Sequence, residues 1–512
     1  MARTSKRNKR NRRSADGAAQ ETPLALGLES GAIKTLTSSD RDAIHNAALE
    51  VLETVGFAEA PDYTRDTLLA AGCTESPTGR ILFPRALVED AVARANRTLV
   101  LYGQTPDRDL ELSGTRTYFS TGCGSVSVMD PADRSIRPTD VGDIFDFARV
   151  VDRLDNIHMF HRLGIPATIE DIDDVDINLC YACVRGTSKP VSTSWFNGEN
   201  VRRSLEMLHH IAGGEATWRK RPFVSNGCTF VVPPLKFAFE SCLGLEYAVR
   251  GGMPVQLISS GQLGATAPVT VAGVAVQTMA EVLGGLVYAL AISPDAKVYL
   301  GTWPLVSDLR TGAATTGSPE HALVSSVVCQ MSRYYDIPNG CVSGIADSKL
   351  PDAQASMEKT LQHTYIGNSG GNVMFCSAGA LAGGLGCSHR GLVIDNEIIG
   401  SSLRTVAGFK VDEAELSVAS IRATCDGGDG HYLGDSETLA RMRTGFFYPS
   451  VADRLGLNDW LKSGAVAFEE KAEAVAQDIL ASHYPGHVPA DADAAIRLAF
   501  NILLSEDRCV AT

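Results

Sequence analysis

A chain of 512 residues, 44% hydrophobic and 21% charged with 48 glycines, is long enough for two or three domains or for one large α/β domain with additions. Its formal charge of −14 argues against a general nucleic-acid binder. No run of about 20 uninterrupted apolar residues reads as a membrane span. Twelve cysteines with one CxxC pair, Cys180 and Cys183, read as reduced thiols rather than a disulfide framework, and the expected location is cytoplasmic.

Residues 1–35 open with "MARTSKRNKRNRR", a basic run with no apolar segment behind it, expected to be a solvated, disordered tail and not a secretory signal. Residues 36–116 read as a helical N-terminal extension, beginning with "SSDRDAIHNAALEVLETVGF", where Ser39 is the expected N-cap. From residue 117 a different rhythm begins. Eight short β-prone runs, at 117–122, 156–164, 190–195, 222–228, 254–260, 297–303, 337–344 and 372–379, alternate with helix-like segments. A spacing of roughly 30 to 45 residues suits a strand plus its crossover helix, so residues 117–400 are expected to form a (β/α)8 TIM barrel. The segment 139–156 reads as a helix capped by Thr139 or Asp140, with Asp143, Asp146 and Asp152 on a solvated acidic side. The almost uncharged stretch from Ser259 to Leu290 divides into the end of strand five, a Gly-rich loop and a close-packed helix. Residues 401–512 read as a helical C-terminal extension that packs on the barrel.

Several motifs in order carry a resemblance. "GQLGATAPVTVAGVAVQTMAEVLGGLVYALAISPDAKVYLGTWPLVSDLRTGAATTGSPE", "FSTGCGSVSVMDPADRSIRPTDVGDIFDFARVVDRLDNI", "ADSKLPDAQASMEK" and "HYLGDSETLARMRTGFFYP" resemble the MttB-type trimethylamine methyltransferase family, from about residue 36 to 485. The resemblance implies a barrel enzyme that moves a methyl group from a methylated amine to the Co(I) corrinoid (cobalamin) of a partner protein, with no tightly bound cofactor of its own. Archaeal members carry pyrrolysine near the end of a late strand. This chain has standard residues in the corresponding stretch, "NGCVSGIADSK" (339–349), and so resembles the non-pyrrolysine members, among them glycine betaine:corrinoid methyltransferases. The expected partners are a small methylated amine and a cognate corrinoid protein, with neither nucleic acid nor membrane, and a homo-oligomer as candidate assembly. A non-catalytic protein that binds or senses quaternary amines on the same barrel is the alternative.

For such a substrate the chemistry asks for a pocket that holds a cation by aromatic faces, at about 0.5 to 2 kcal/mol per contact. The aromatic candidates are Trp195 and Trp303, at the ends of strands three and six, then Tyr102, Phe230 and Tyr118. A betaine carboxylate needs a donor, for which His363, His161, Arg162 and Arg310 are candidates. Asn197, Asn226, Gln262 and Thr302 are expected to add hydrogen bonds at the mouth. No catalytic residue is assigned. No metal is expected: His158 and His161 stand at odd spacing on a strand, and Cys123, Cys228, Cys341 and Cys376 suit a barrel core.

Overall fold

The computed structural model describes residues 27–130, 135–426, 428 and 430–511. Most of the basic tail, residues 1–26, lies outside the described residues. Eight parallel strands form the framework: β1 (Arg116–Thr121), β2 (Phe160–His161), β3 (Val191–Thr193), β4 (Val224–Cys228), β5 (Val255–Ser259), β6 (Val298–Thr302), β7 (Asn339–Val342) and β8 (Val373–Ala378). They pair in chain order from β2 to β8, and β8 pairs with β1. A parallel bridge between Ser120 and Met159, with Thr121 N–H donating to Met159 O at 3.4 Å, links β1 to the segment entering β2. Seven of the eight sequence-read runs contain one of these strands whole, and the first, 117–122, overlaps β1 in all but Arg116. A short antiparallel strand, Leu28–Glu29, lies along β1.

A long helix follows each strand: α1 (Val141–Asp152), α2 (Ile172–Gly186), α3 (Glu199–Ala212), α4 (Phe239–Arg250), α5 (Val271–Ile292), α6 (Pro319–Tyr334), α7 (Ala353–Gly367) and α8 (His389–Val406). Parallel strands require such crossovers, and the resulting large parallel sheet is flanked by helices that share one continuous apolar layer. By length and composition α5 could cross a membrane, but 83% of its apolar window is buried inside the protein. Its small residues serve packing. A Cβ at Gly285 would come within 2.4 Å of the Phe230 ring, and one at Gly284 within 2.8 Å of Phe57.

The N-terminal helix Ser38–Thr54 is capped by Thr37 rather than Ser39, because Thr37 and Asp40 form a reciprocal capping box one turn into the chain. The hairpin Leu99–Leu101 with Leu110–Leu112 seals the N-terminal end of the sheet interior. Its four leucines pack with Tyr118, Met159, Tyr299 and Val373.

The acidic side of α1 is buried, which corrects the sequence expectation of a solvated face. Asp143 completes the capping box of Asp140 and accepts from Arg137 at 2.7 and 2.9 Å. Asp146 accepts from Arg149 and Arg508, and Asp152 accepts from Thr187, Ser188 and His483. Each carboxylate faces a chain segment that supplies donors, so burial carries compensation that one-dimensional patterning does not reveal. In the C-terminal part, helix Phe468–Ser482 buries Ala472, Ala476 and Ile479, whereas the six-residue helix Ser436–Arg441 buries no side chain.

Lys359 on α7 and Asp395 on α8 form a buried ion pair at 2.5 Å, and Asp395 also accepts from Gly379 N–H at 2.7 Å just beyond β8. Removing one partner leaves a buried charge uncompensated. Asp395→Ala is expected to cost about 3–5 kcal/mol, read as a lower urea midpoint, while the double variant Lys359→Met/Asp395→Leu recovers a large part of it.

Candidate active site

Alternation along each strand decides which side chains enter the sheet interior. On β6 these are Tyr299, Gly301 and then Trp303. On β2 it is His161, and on β8 Phe375. The three rings converge: His161 and Trp303 centroids lie 5.6 Å apart, His161 and Phe375 5.3 Å, and Trp303 and Phe375 5.3 Å. Glycines make room for them. A Cβ at Gly340 would come within 2.5 Å of Phe375, and one at Gly227 within 3.0 Å of His161. Below the rings lies a polar layer, in which Tyr299 and Ser225 hydroxyls meet at 3.1 Å and Gln256 is fully buried.

Beyond the rings, the C-terminal ends of the strands carry side chains that are mostly but not fully buried: Cys123 after β1, Arg162 after β2, Ser194 after β3 and Trp303 after β6. Arg162 Nε donates to Ser194 Oγ at 2.7 Å, and its guanidinium lies 5.9 Å from the Phe196 ring. Three donors or acceptors aimed into this region, Arg162 Nη1, Trp303 Nε1 and His161 Nδ1, are buried and have no protein partner among the described residues. An unpaired buried polar atom costs about 1–3 kcal/mol, which a bound ligand that supplies the missing partner would recover. Burial, and then the Arg162 charge, pushes His161 down to about 3, so its imidazole is neutral near pH 7.

Two thiols complete this end. β8 shifts register between Met374 and Ala378, and inside that irregularity Cys376 adopts a left-handed φ of 57°. The irregularity lets Phe375 and Cys376 both pack with the interior residues. Cys376 Sγ lies where a Cβ on Gly122 would meet it at 3.1 Å, next to Cys123. The two thiols interact, and that interaction, followed by the nearby Arg162 charge, holds the Cys123 thiol below the usual range against the opposing effect of burial, while Cys376 is pushed well up. Among the described residues no group of three or more His, Cys, Asp or Glu side chains could hold a metal ion.

The loops bearing this site are pinned from behind. Asp176 on α2 accepts from the backbone of Phe196 and Asn197 and from Asn200 Nδ2, fixing the β3–α3 turn. Glu281 on α5 accepts from Ser259 Oγ at 2.5 Å, Leu235 N–H at 3.0 Å and Gln277 Nε2 at 3.0 Å, tying the end of β5 to the loop after β4. Asp347 after β7 accepts from Thr315 Oγ1 at 2.9 Å and Gly317 N–H at 3.0 Å, joining two neighbouring loops.

Of the residues singled out in the sequence, Trp303, His161 and Arg162 converge here. Trp195 turns to the helix layer, where its Nε1 donates to Ser204 Oγ at 2.8 Å. Phe230 lies in that layer against Gly285, and Asn226 lines a small polar crevice with Trp195, Glu240 and Ser241. Asn197 is held by Asp173, and Gln262 bonds the Ser307 hydroxyl. His363 is buried, with Nδ1 2.8 Å from Ser343 Oγ and its ring edge-on to Phe119. Arg310 is exposed and pairs with Asp308. Tyr102 lies under the Arg221 guanidinium, near the sealed end. Of the other residues considered, Tyr118 packs with the leucine seal, and Thr302 Oγ1 meets Cys341 Sγ at 3.2 Å. Phe375 escaped notice in the sequence, although the alternation Val373, Phe375 in "NVMFCSAG" carries the signal.

The relatives bear on this geometry. The trimethylamine methyltransferase MttB of Desulfitobacterium hafniense is 32% identical over 457 residues, covering 89% of this chain and 91% of that protein. The MttB of Methanosarcina thermophila is 29% identical, covering 90% and 95%. A glycine betaine methyltransferase of Desulfitobacterium hafniense is 26% identical, also covering 90% and 95%. Among solved structures, the dihydropteroate synthase of Vibrio fischeri aligns at 10% identity and a TM-score of 0.37, over 61% of this chain and 100% of that one, too distant to argue from. An enzyme of the methyltransferase class is therefore at hand. The family model described as trimethylamine methyltransferase (MTTB) matches residues 3–502, and the chain belongs to that family.

Two predictions follow from the buried groups. His158 and His161 are held down at about 3, His321 at about 4 and His363 at about 3, all chiefly by burial. Their native pKa values lie below the unfolded value of about 6.5, so the stabilisation is complete above pH 6.5 and is lost as pH falls toward 3–4. Unfolding free energy is expected to drop by roughly 1.4 kcal/mol per pH unit for each histidine in that window, and the slope is measurable by urea titration at several pH values. Cys123 is expected to react with iodoacetamide at pH 7 faster than the exposed Cys425, as read by peptide mass spectrometry.

Proposed function

We propose that the protein transfers a methyl group from a quaternary amine with an anionic tail, of the glycine betaine type, to the Co(I) corrinoid of a partner protein. The observation that carries this reading is the pairing of a three-ring cluster, His161, Trp303 and Phe375, with a guanidinium whose Nη1 has no protein partner. Aromatic faces attract a trimethylammonium head, and Arg162 Nη1 supplies a charge-assisted bond for a carboxylate. Together they suit a zwitterion better than trimethylamine alone. The strand order and the bridge from β1 to the entry of β2 support a (β/α)8 barrel, whose chemistry lies at the C-terminal strand ends.

A quaternary nitrogen leaves with the electron pair of its broken N–CH3 bond, while the methyl carbon gains a new bond made with the electron pair of Co(I). No proton moves. A neutral His161 fits that requirement, because it packs beside the head without adding a second positive charge there. The chain's own work is to hold the head against Trp303 and Phe375, anchor the tail at Arg162 and keep one methyl facing the open end. The corrinoid protein enters as the methyl-accepting substrate at that end, where Cys123, Arg162 and Trp303 are not fully buried.

The test mixes the protein with glycine betaine and Co(I) cobalamin, alone and on a cognate corrinoid protein, and follows methylcobalamin absorbance. Binding of the betaine with no methylcobalamin in either case would leave a binding protein and overturn the reading. Arg162→Met is expected to weaken glycine betaine binding about 10- to 100-fold while changing tetramethylammonium binding little, by calorimetry. Trp303→Ala is expected to weaken both, by about 2- to 30-fold.

A further inference from the structure

Thiols stand next to one another at several places in this chain, and burial separates one pair from the rest. Cys180 and Cys183, the CxxC pair, lie fully buried on α2, where burial pushes the first thiol well above the usual range and the second up to about 12. Cys329 on α6 interacts with Cys341 on β7, and both are fully buried as well. Cys123, after β1, is not fully buried, and Cys376 beside it is. Of these six residues Cys123 alone keeps contact with solvent, and it does so at the open end of the sheet.

The backbone brings Cys123 and Cys376 together from adjacent strands. β8 pairs with β1, and neighbouring strands stand about 4.8 Å apart, within the Cα separations of roughly 4.4–6.8 Å that a disulfide spans. Next to Cys123, a Cβ on Gly122 would come within 3.1 Å of Cys376 Sγ and 3.2 Å of the Cys376 backbone nitrogen. On the other flank, a Cβ on Gly384 would stand 2.9 Å from Cys123 Sγ. Glycine on both sides leaves the two sulfurs to meet with no side chain between them.

We propose that Cys123 and Cys376 form a redox-sensitive dithiol that a hydroperoxide closes to a disulfide, and that closure disables the amine site. The Cys123 thiolate attacks the hydroperoxide, the O–O bond breaks, and an alcohol or water leaves with the proton that the thiol gave up. Cys376 then displaces the hydroxyl of the Cys123 sulfenic acid, and its own proton leaves with that hydroxyl as water. Two thiols lose two electrons and two protons, and the peroxide gains them. The Arg162 charge favours the thiolate that begins the sequence.

Closure reaches the binding groups through the backbone. Cys123 N–H donates to Arg162 O at 3.1 Å, a Cβ on Gly124 would come within 3.4 Å of Arg162 Nη1, and Cys376 directly follows Phe375. A covalent bond draws the two sulfurs closer than any unbonded contact, so it shifts the guanidinium anchor and the Phe375 ring from the arrangement that holds a zwitterion. Co(I) is a strong reductant, so the oxidant that closes the bridge also consumes the methyl acceptor, and the site shuts when transfer has no destination. That consequence rests on the methyl transfer proposed above; the bridge itself does not.

The full chain, treated with a small excess of hydrogen peroxide, unfolded, alkylated and digested, is expected to yield one peptide pair joined through Cys123 and Cys376, with Cys180, Cys183, Cys329 and Cys341 recovered as alkylated thiols. Glycine betaine affinity, read by calorimetry, is expected to fall about tenfold or more on oxidation and to return with dithiothreitol. Binding is the readout because the reductant that keeps cobalt as Co(I) would reopen the bridge. Cys376→Ser is expected to stop at a Cys123 sulfenic acid that dimedone captures, and Cys123→Ser to bind betaine equally before and after peroxide. Recovery of Cys123 from the native protein as a thiol or a lone sulfinic acid would overturn the proposal, as would a bridge to any other cysteine or a bridge that leaves affinity unchanged. A reduced protein that binds no betaine would sink the functional reading instead, with the bridge still decided by the digest.

Discussion

Eight parallel strands paired side by side turn one row of side chains to a common face, and how that row is packed governs the rest of the molecule. One half is filled with hydrocarbon: four hairpin leucines with Tyr118, Met159, Tyr299 and Val373. The other half is filled with three rings above a polar layer, and its uppermost donors are left without protein partners. The direction of the site follows from that asymmetry. The unpaired donors and the loops pinned by Asp176, Glu281 and Asp347 lie at the same end.

Those carboxylates share a pattern. Asp176, Glu281 and Asp347 each sit on or before a helix behind the sheet and accept from the backbone or hydroxyls of the loops in front. Asp152 does the same toward the sealed end with Thr187 and Ser188, beside Lys189, whose ammonium donates to three carbonyls at the end of α1. Burial raises Asp176 and Glu281 from the ordinary carboxylate value even though their bonds oppose the shift, a sign that the anionic form is held at a cost. Fixed loops keep ring and guanidinium positions constant, which orientation-dependent chemistry requires.

Much of this was legible in the sequence, because a strand followed by a crossover helix recurs along residues 117–400 and each of the eight runs overlaps a strand. The site was legible only in part, for a reason visible at Trp195 and Trp303. Both stand at the end of a strand, but one residue of parity separates inward from outward. On β6 the inward series Tyr299, Gly301, Trp303 includes the tryptophan. Trp195 instead follows Ser194 and points to Ser204 in the helix layer. Parity cannot be read where a strand is buried on both faces, since neither face is polar. The acidic side of α1 misled for the converse reason: its donors, Arg137, Arg508 and His483, include residues more than 300 positions away.

The irregular register of β8 reaches beyond catalysis. Because Cys376 holds a left-handed backbone inside a strand, a replacement there must satisfy both the cramped volume beside Gly122 and a φ that β-branched side chains strongly resist. Glycine or asparagine would relieve the backbone and sacrifice the sulfur; valine or threonine would sacrifice the sulfur and strain the backbone further. The position therefore has few neighbours in sequence space, and a lineage that keeps a sulfur there is constrained twice over, by conformation and by chemistry.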